Sequence, residues 1–318
     1  MNPARGAALC AAIAILLSSS LVQASALYPD EPSGWSQIVR HQFNDKTNGG
    51  ACFDYYPDSS GTYSAILSDG SAWTSPSSFL RETKPAGQSV GGTQLECVFP
   101  AKRSIFWGFT WRSSNPFGGY NNGANKMGFM MSNRPTGGGA LWGLHYRGNT
   151  NGSRVIAVFL QSAPGVNNCH ISGAVDICSD GAIFIPNVNG SPVLEGQIHK
   201  VEVTMIRSTS ETSKDGTIRV VVDGVVRTNY TNVNFPAWDF VSVQTNHTWD
   251  GQCANRPGGN PLTPTVAPND CRTFDDWHDT DDWYVSSGSG GGVTPPPPPP
   301  TDTTPPGQVT SVTVTQLN

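Results

Sequence analysis

The stretch TFDDWHDTDDWYVS, residues 273–286, sets five aspartates, one histidine and two tryptophans within fourteen positions. Carboxylates at this density could hold a cation or move protons. An EF-hand loop needs the pattern D-x-[DN]-x-[DN]-G with a glutamate at its twelfth position, and neither is present. Zinc needs more than one histidine at helical or hairpin spacing, and His278 stands alone. Two readings remain: an oxygen-rich calcium site, or a solvated acidic loop ahead of an edge strand, where charge discourages edge-to-edge pairing. Neither makes the cluster catalytic. The run GQSVG (87–91) matches G-x-S-x-G, but it lies in a glycine-rich loop with no helix to follow, so it reads as a turn and not as a nucleophile elbow.

Sugar chemistry has two further requirements to compare with the chain. Glycoside hydrolysis needs two carboxyl groups flanking the scissile bond. The chain has six glutamates, and Glu202 in KVEVTM is the one whose strand position could face a groove. Binding needs less: flat aromatic faces and a few amides to meet hydroxyl groups. Trp107, Trp111, Tyr120, Trp142, Tyr146, Trp238 and Trp249 supply the faces, interleaved with Asn121, Asn122, Asn125, Gln244 and Asn246. Alternation puts Trp107 and Trp111 on one side with Phe109, which marks them as core. Trp142 and Tyr146 share a side with Leu144 and stay open between core and site. Tyr120 and Trp249, in loops beside Asn and Asp, are the better binding candidates.

These residues need a rigid scaffold, and the chain predicts one made of strands. Period-two alternation recurs in SIFWGFTWRS (104–113), SRVIAVFLQ, HKVEVTMIRS, GTIRVVVDG and WDFVSVQTN. VVVDGVVR (220–227) carries Asp223-Gly224 at its centre, a strong hairpin signal. No amphipathic helix longer than a turn or two is evident. The expected fold class is all-β, a two-sheet antiparallel sandwich or jelly roll spanning 27–287.

Composition narrows the setting. Residues 1–26 read as a secretory signal peptide: one basic residue, Arg5, then an apolar run too short to span a membrane, then Ala24-Ser25-Ala26, with cleavage after Ala24 or Ala26. No other window predicts a membrane span, and the mature chain is expected to be secreted. Removing Cys10 leaves six of the seven cysteines, an even number suited to disulfides in an oxidising compartment. The expected pairs are Cys52–Cys97, Cys169–Cys178 and Cys253–Cys271, the last two each closing a loop rich in Gly, Asn or Pro. The formal net charge of −5, from 24 acidic and 19 basic residues, gives no footprint for nucleic acid or anionic lipid. Residues 288–306 form a Gly/Ser and Pro-rich spacer. Residues 307–318 form one alternating strand that resembles the opening of a fibronectin type III module. Such a module needs about 100 residues, so further modules are expected beyond Asn318.

FWGFTWRSSNPFGGYNNGANKMGFMMS (106–132), the strand–DG hairpin–strand run at 199–236 and the closing DDWYVSS (281–287) resemble segments of concanavalin A-like lectin/glucanase jelly rolls. That superfamily includes lectins, carbohydrate-binding modules, hydrolases and lyases, so the resemblance implies the fold and leaves the activity open. It implies that a structural Ca²⁺ would use an Asp of the last strand, here Asp282, with Asp45 or a nearby carbonyl as partner. Laminarinase-type members carry E-x-D-x-E, which is absent. Lyases of this fold pair a Tyr or His base with groups that neutralise a uronate. GQIHK (196–200) contains the Gln-Ile-His triplet of one alginate lyase family, and FLRET (79–83) is faintly similar to its Arg-rich strand, but the Tyr-x-Lys-x-Gly-x-Tyr-x-Gln strand is missing. As a lyase the chain would draw on His199, His145, Tyr146, Arg112, Arg147, Gln244 and His247. As a binder it would use Tyr120, Asn121, Asn125, Trp142, Gln244, Asn246 and Trp249. Polysaccharide binding is the leading expectation, with lyase or hydrolase activity, or a structural adhesive role, as alternatives.

Overall fold

The structure is a computed structural model, and it describes residues 27–54, 63–71, 73, 78–85, 94–117, 125–133, 141–148, 154–161, 183–184, 188–210, 213–233, 238–245 and 275–288. The expected signal peptide, most of the expected spacer, the expected fibronectin-like start, and Cys169, Cys178, Cys253 and Cys271 lie outside these residues. So do Tyr120, Asn121, Asn246, His247 and Trp249, as well as the side chains of Trp142 and Arg147.

The described strands run in chain order β1 (Ser36–His41), β2 (Cys52–Asp54), β3 (Ser64–Leu67), β4 (Phe79–Lys84), β5 (Leu95–Lys102), β6 (Ser104–Ser113), β7 (Lys126–Ser132), β8 (Leu141–Gly148), β9 (Arg154–Gln161), β10 (Ile183–Phe184), β11 (His199–Ile206), β12 (Gly216–Val222), β13 (Val225–Val233), β14 (Phe240–Thr245) and β15 (Asp276–Ser287). An eight-stranded sheet has the order β13-β12-β11-β6-β15-β4-β3, with β1 also paired to β15. A seven-stranded sheet has the order β10-β9-β8-β7-β14-β5-β2. All these pairings are antiparallel. This is the two-sheet jelly-roll sandwich that alternation and resemblance predicted.

The sheets meet through one face each. On β6 the residues Ile105, Trp107, Phe109 and Trp111 point inward and join Val201, Val203 and Met205 of β11 and Met130, Leu144 and Ile156 of the facing sheet in one core. The close approach of the sheets depends on Gly128, where a Cβ would lie 2.6 Å from the Trp107 ring. Asp223 and Gly224 both take positive φ, 54° and 76°, and close the β12–β13 hairpin as expected.

Strand β15 changes inward face partway along its length. His278 and Thr280 face inward first. A register shift between Asp281 and Tyr284, with Asp282 at φ 50°, then turns Trp283 and Val285 inward. A β-bulge inserts the extra residue that such a switch of face requires. The strand therefore turns even positions, His278 and Thr280, inward before the bulge and odd positions, Trp283 and Val285, inward after it.

Candidate functional site

Cys52 and Cys97 stand opposite each other on β2 and β5, buried and disulfide-bonded. Because strand side chains alternate, the neighbours Phe53, Glu96 and Val98 must point outward from the seven-stranded sheet. Gln244 lies outward as well, between the core residue Val243 and Thr245, whose hydroxyl reaches across to Glu82 of the other sheet. Phe129 faces out between the inward Gly128 and Met130.

Register brings these outward positions into line. Phe53 pairs with Glu96, Glu96 with Gln244, Gln244 with Phe129, Phe129 with Gly143, and Gly143 with Phe159. The row crosses six strands at one level, about 24 Å at the usual strand spacing. Exposure is greatest at the β2 edge, where Phe53 is 39% and Val98 46% exposed, against 7% for Glu96 and 2% for Gln244.

Hydrogen bonds fix the polar members of the row. The Ser242 hydroxyl and the Gln94 amide donate to Glu96 Oε1 and Gln244 Oε1 respectively. The Gln244 amide also lies 2.7 Å from Met131 Sδ. The Phe129 ring rests over Gly143 and meets the His145 ring edge-on at 6.1 Å, and the Lys126 ammonium lies 5.8 Å from the Phe129 centroid. An exposed ring with a carboxylate beside it can stack on one sugar and accept a hydrogen bond from its hydroxyl groups.

Of the residues expected from sequence, His145 and Gln244 come to this one face. Tyr146 does not: it points into the core, its hydroxyl donates to Val193 O at 2.8 Å, and burial pushes the phenol pKa up. Asn125 is buried, and its amide donates to Tyr146 O at 2.8 Å, which braces β8 from within. His199 is on the other sheet with both ring nitrogens engaged, Nδ1 with Asp223 Oδ2 at 2.6 Å and Nε2 with Leu194 O at 2.8 Å. Burial opposes its protonation, yet the Asp223 and Leu194 bonds raise its pKa. Arg112 lies on the outer face of the eight-stranded sheet, bound to Asp279 and Asp69. Asp69 in turn stays below the usual carboxylate range: desolvation opposes this, but the bonds from Arg112 and Ser71 outweigh it. The described members of the lyase set are thus divided among the core and both outer faces of the sandwich.

The acidic stretch is neither a loop nor an edge. It forms β15, a central strand between β6 and β4, and Asp276, Asp279, Asp281 and Asp282 are all buried. The solvated-loop reading fails because distant arginines meet these carboxylates. Asp279 takes Arg81 Nε at 2.7 Å and Arg112 Nη2 at 2.6 Å. Asp282 takes Arg40 Nε at 3.0 Å and the Tyr28 hydroxyl at 3.3 Å. Asp45, the other residue assigned to calcium, accepts the backbone amides of Thr47 and Asn48 at 2.6 and 2.7 Å. Among the described residues no three His, Cys, Asp or Glu gather as a metal site. His278 Nε2 lies 2.6 Å from Glu82 Oε2, and Glu82 Oε1 accepts from Thr245. This buried relay ties the two sheets together.

Sequence reasoning missed Phe53 and Glu96. A signal for them existed: once Cys52 and Cys97 are expected as an inward pair, the residues beside them must face out.

No family model matches the chain, and no curated protein matches it. Solved structures do. The marine PL-14 alginate lyase from Aplysia kurodai superposes with a TM-score of 0.50 at 13% identity, over 79% of this chain and 98% of its own. An alginate lyase from Chlorella virus, vAL-1, gives 0.45 at 14%, over 80% and 93%. The cellulose-induced protein Cip1 gives 0.47 at 12%, over 80% and 100%. At 13% identity the likeness to the Aplysia kurodai enzyme is one of fold alone, a two-sheet jelly-roll sandwich.

Proposed function

We propose that the chain is an exported, disulfide-stapled jelly-roll module that binds an extended polysaccharide along the outer face of its seven-stranded sheet. The observation that carries this reading is the cross-strand row Phe53–Glu96–Gln244–Phe129, in which an exposed ring, Phe53, stands beside a carboxylate, Glu96, while the buried Gln244 and Phe129 continue the row at the same level of a rigid sheet. The Aplysia kurodai enzyme, an alginate lyase by name, is built on the same fold, which is in keeping with a polysaccharide ligand.

Binding is favoured over turnover because, among the described residues, the groups a lyase would need do not converge. A base and its charge-neutralising partners must lie within hydrogen-bond reach of one substrate position. Tyr146, His199 and Arg112 are each engaged elsewhere, which leaves His145 and Gln244 on the face.

The test is to incubate the mature protein with a polysaccharide panel, with Ca²⁺ and with chelator, reading pull-down, reducing ends and unsaturated uronate ends in parallel. Retention on a polysaccharide without new ends, lost on Phe53→Ala, is the expected result. New unsaturated ends that disappear with His145→Ala would replace binding by lyase activity. Dependence of retention on Ca²⁺ would support the calcium assignment to Asp282 and Asp45.

A further inference from the structure

We infer that the glycan this face takes is neutral, a chain of hydroxyl-bearing sugars without carboxylate or sulfate groups; the inference rests on the polysaccharide-binding reading above. The first ground is the position of Glu96. It stands directly opposite Phe53, the most exposed ring of the row, and directly opposed side chains lie about 5 Å apart at Cβ. A sugar stacked on Phe53 therefore meets a carboxylate at its edge. Glu96 already accepts a hydrogen bond from the Ser242 hydroxyl, and a carboxylate that accepts hydroxyl donors suits a neutral ring. A uronate on the same platform would bring like charge against it.

The second ground is where the cations are. Anionic polymers are recognised by guanidinium groups free to form paired hydrogen bonds. Here Arg40, Arg81, Arg112, Arg154, Arg207 and Arg219 are each paired with a carboxylate of the protein itself. Among the described residues, the cation that packs on the row is Lys126, set against the Phe129 ring at the far side of Gln244 from Glu96. Among the described residues, one acid and one base lie along the row, which matches a ligand whose recognition runs through hydroxyl groups.

Affinity electrophoresis tests this. The wild-type chain, Phe53→Ala and the isosteric Glu96→Gln are run through gels containing neutral polymers (β-glucan, xylan, galactomannan) or acidic ones (alginate, polygalacturonate). Expected is retardation by at least one neutral polymer, at least tenfold weaker retardation by every acidic one, and at least tenfold loss with Phe53→Ala. Glu96→Gln should narrow the gap between the two classes, and its thermal melting curve controls for folding. Stronger retardation by an acidic polymer, still dependent on Phe53, would overturn the neutral-glycan inference and leave the binding reading standing. An equal gap in folded Glu96→Gln would also overturn it. Retardation by no polymer, or retardation indifferent to Phe53, would overturn the binding reading itself and this inference with it.

Discussion

Gly143 carries the Phe129 ring: a Cβ placed on Gly143 would lie 2.6 Å from Phe129 Cε1 and 3.1 Å from His145 Nε2. The ring is fully buried although it points away from the core between the sheets. A missing side chain on β8 thus decides where an aromatic face on β7 can lie. Gly143→Ala is expected to displace Phe129, lowering stability by about 1–3 kcal/mol as overpacking does. It should also weaken glycan retention. Urea denaturation and affinity electrophoresis read the two effects separately.

Removing one buried carboxylate should cost more. Asp279 holds Arg81 and Arg112 together, and those guanidinium groups also lie over Trp277, at 3.8 and 5.4 Å. Asp279→Ala leaves two partly buried cations without their shared partner, a loss of about 3–5 kcal/mol. Since this cluster lies on the sheet opposite the row, whatever fraction remains folded should keep its glycan affinity. A chemical denaturation curve with the variant midpoint unchanged would contradict the expectation.

Glu202 gives the protein a pH dependence in one direction. Burial raises its pKa to about 7, although the Asp30 amide bonds its Oε1 at 2.8 Å. Folding therefore favours the protonated acid, and the stability this provides is full below the ordinary value of 4.5 and is lost as pH rises toward 7. Glu202→Gln should be more stable than wild type at pH 8, by on the order of 2 kcal/mol. Melting temperatures across that window decide it.

His41 acts in the opposite sense. It stacks on Phe43 at 4.1 Å, and its Nδ1 accepts the Phe43 amide at 2.9 Å. Burial lowers its pKa from 6.5 to about 4, so the neutral ring is favoured in the fold. The stability it supplies is present above pH 6.5 and is lost as pH falls toward 4. His41→Gln should flatten the acid side of the profile, while Glu202→Gln flattens the neutral side.

The N-terminal segment is held by a similar device to Phe129. The Tyr28 ring lies over Gly108, where a Cβ would come within 2.6 Å of it, and its hydroxyl donates to Asp282 O at 2.6 Å. Asp30 adds a paired contact with Arg219. Gly108→Ala should lift residues 27–35 from the sheet. Faster proteolytic clipping of that segment, with the remainder still folded, is the expected readout.

The architecture could be read from the sequence because its signals are local: alternation marked β6 and β11, Asp223-Gly224 marked a hairpin, and Trp107 and Trp111 fell on the side of Phe109. The candidate site could not, because its members come from residues 53, 96, 129 and 244 and meet only through pairing between strands remote in the chain. The aspartates of β15 misled for the same reason. Their partners Arg40, Arg81 and Arg112 lie more than 160 residues away, and without them a run of acids looks solvated.

A ribbon of three residues is too short to hold its own place in a sheet. β2 is that short, and the cross-link at Cys52 leaves it no freedom to slide past β5. Phe53, one residue further on, inherits that fixity, so treatment with a reductant should blunt glycan capture well before the sandwich melts. Retention on the glycan would then report whether the chain had matured under oxidising conditions.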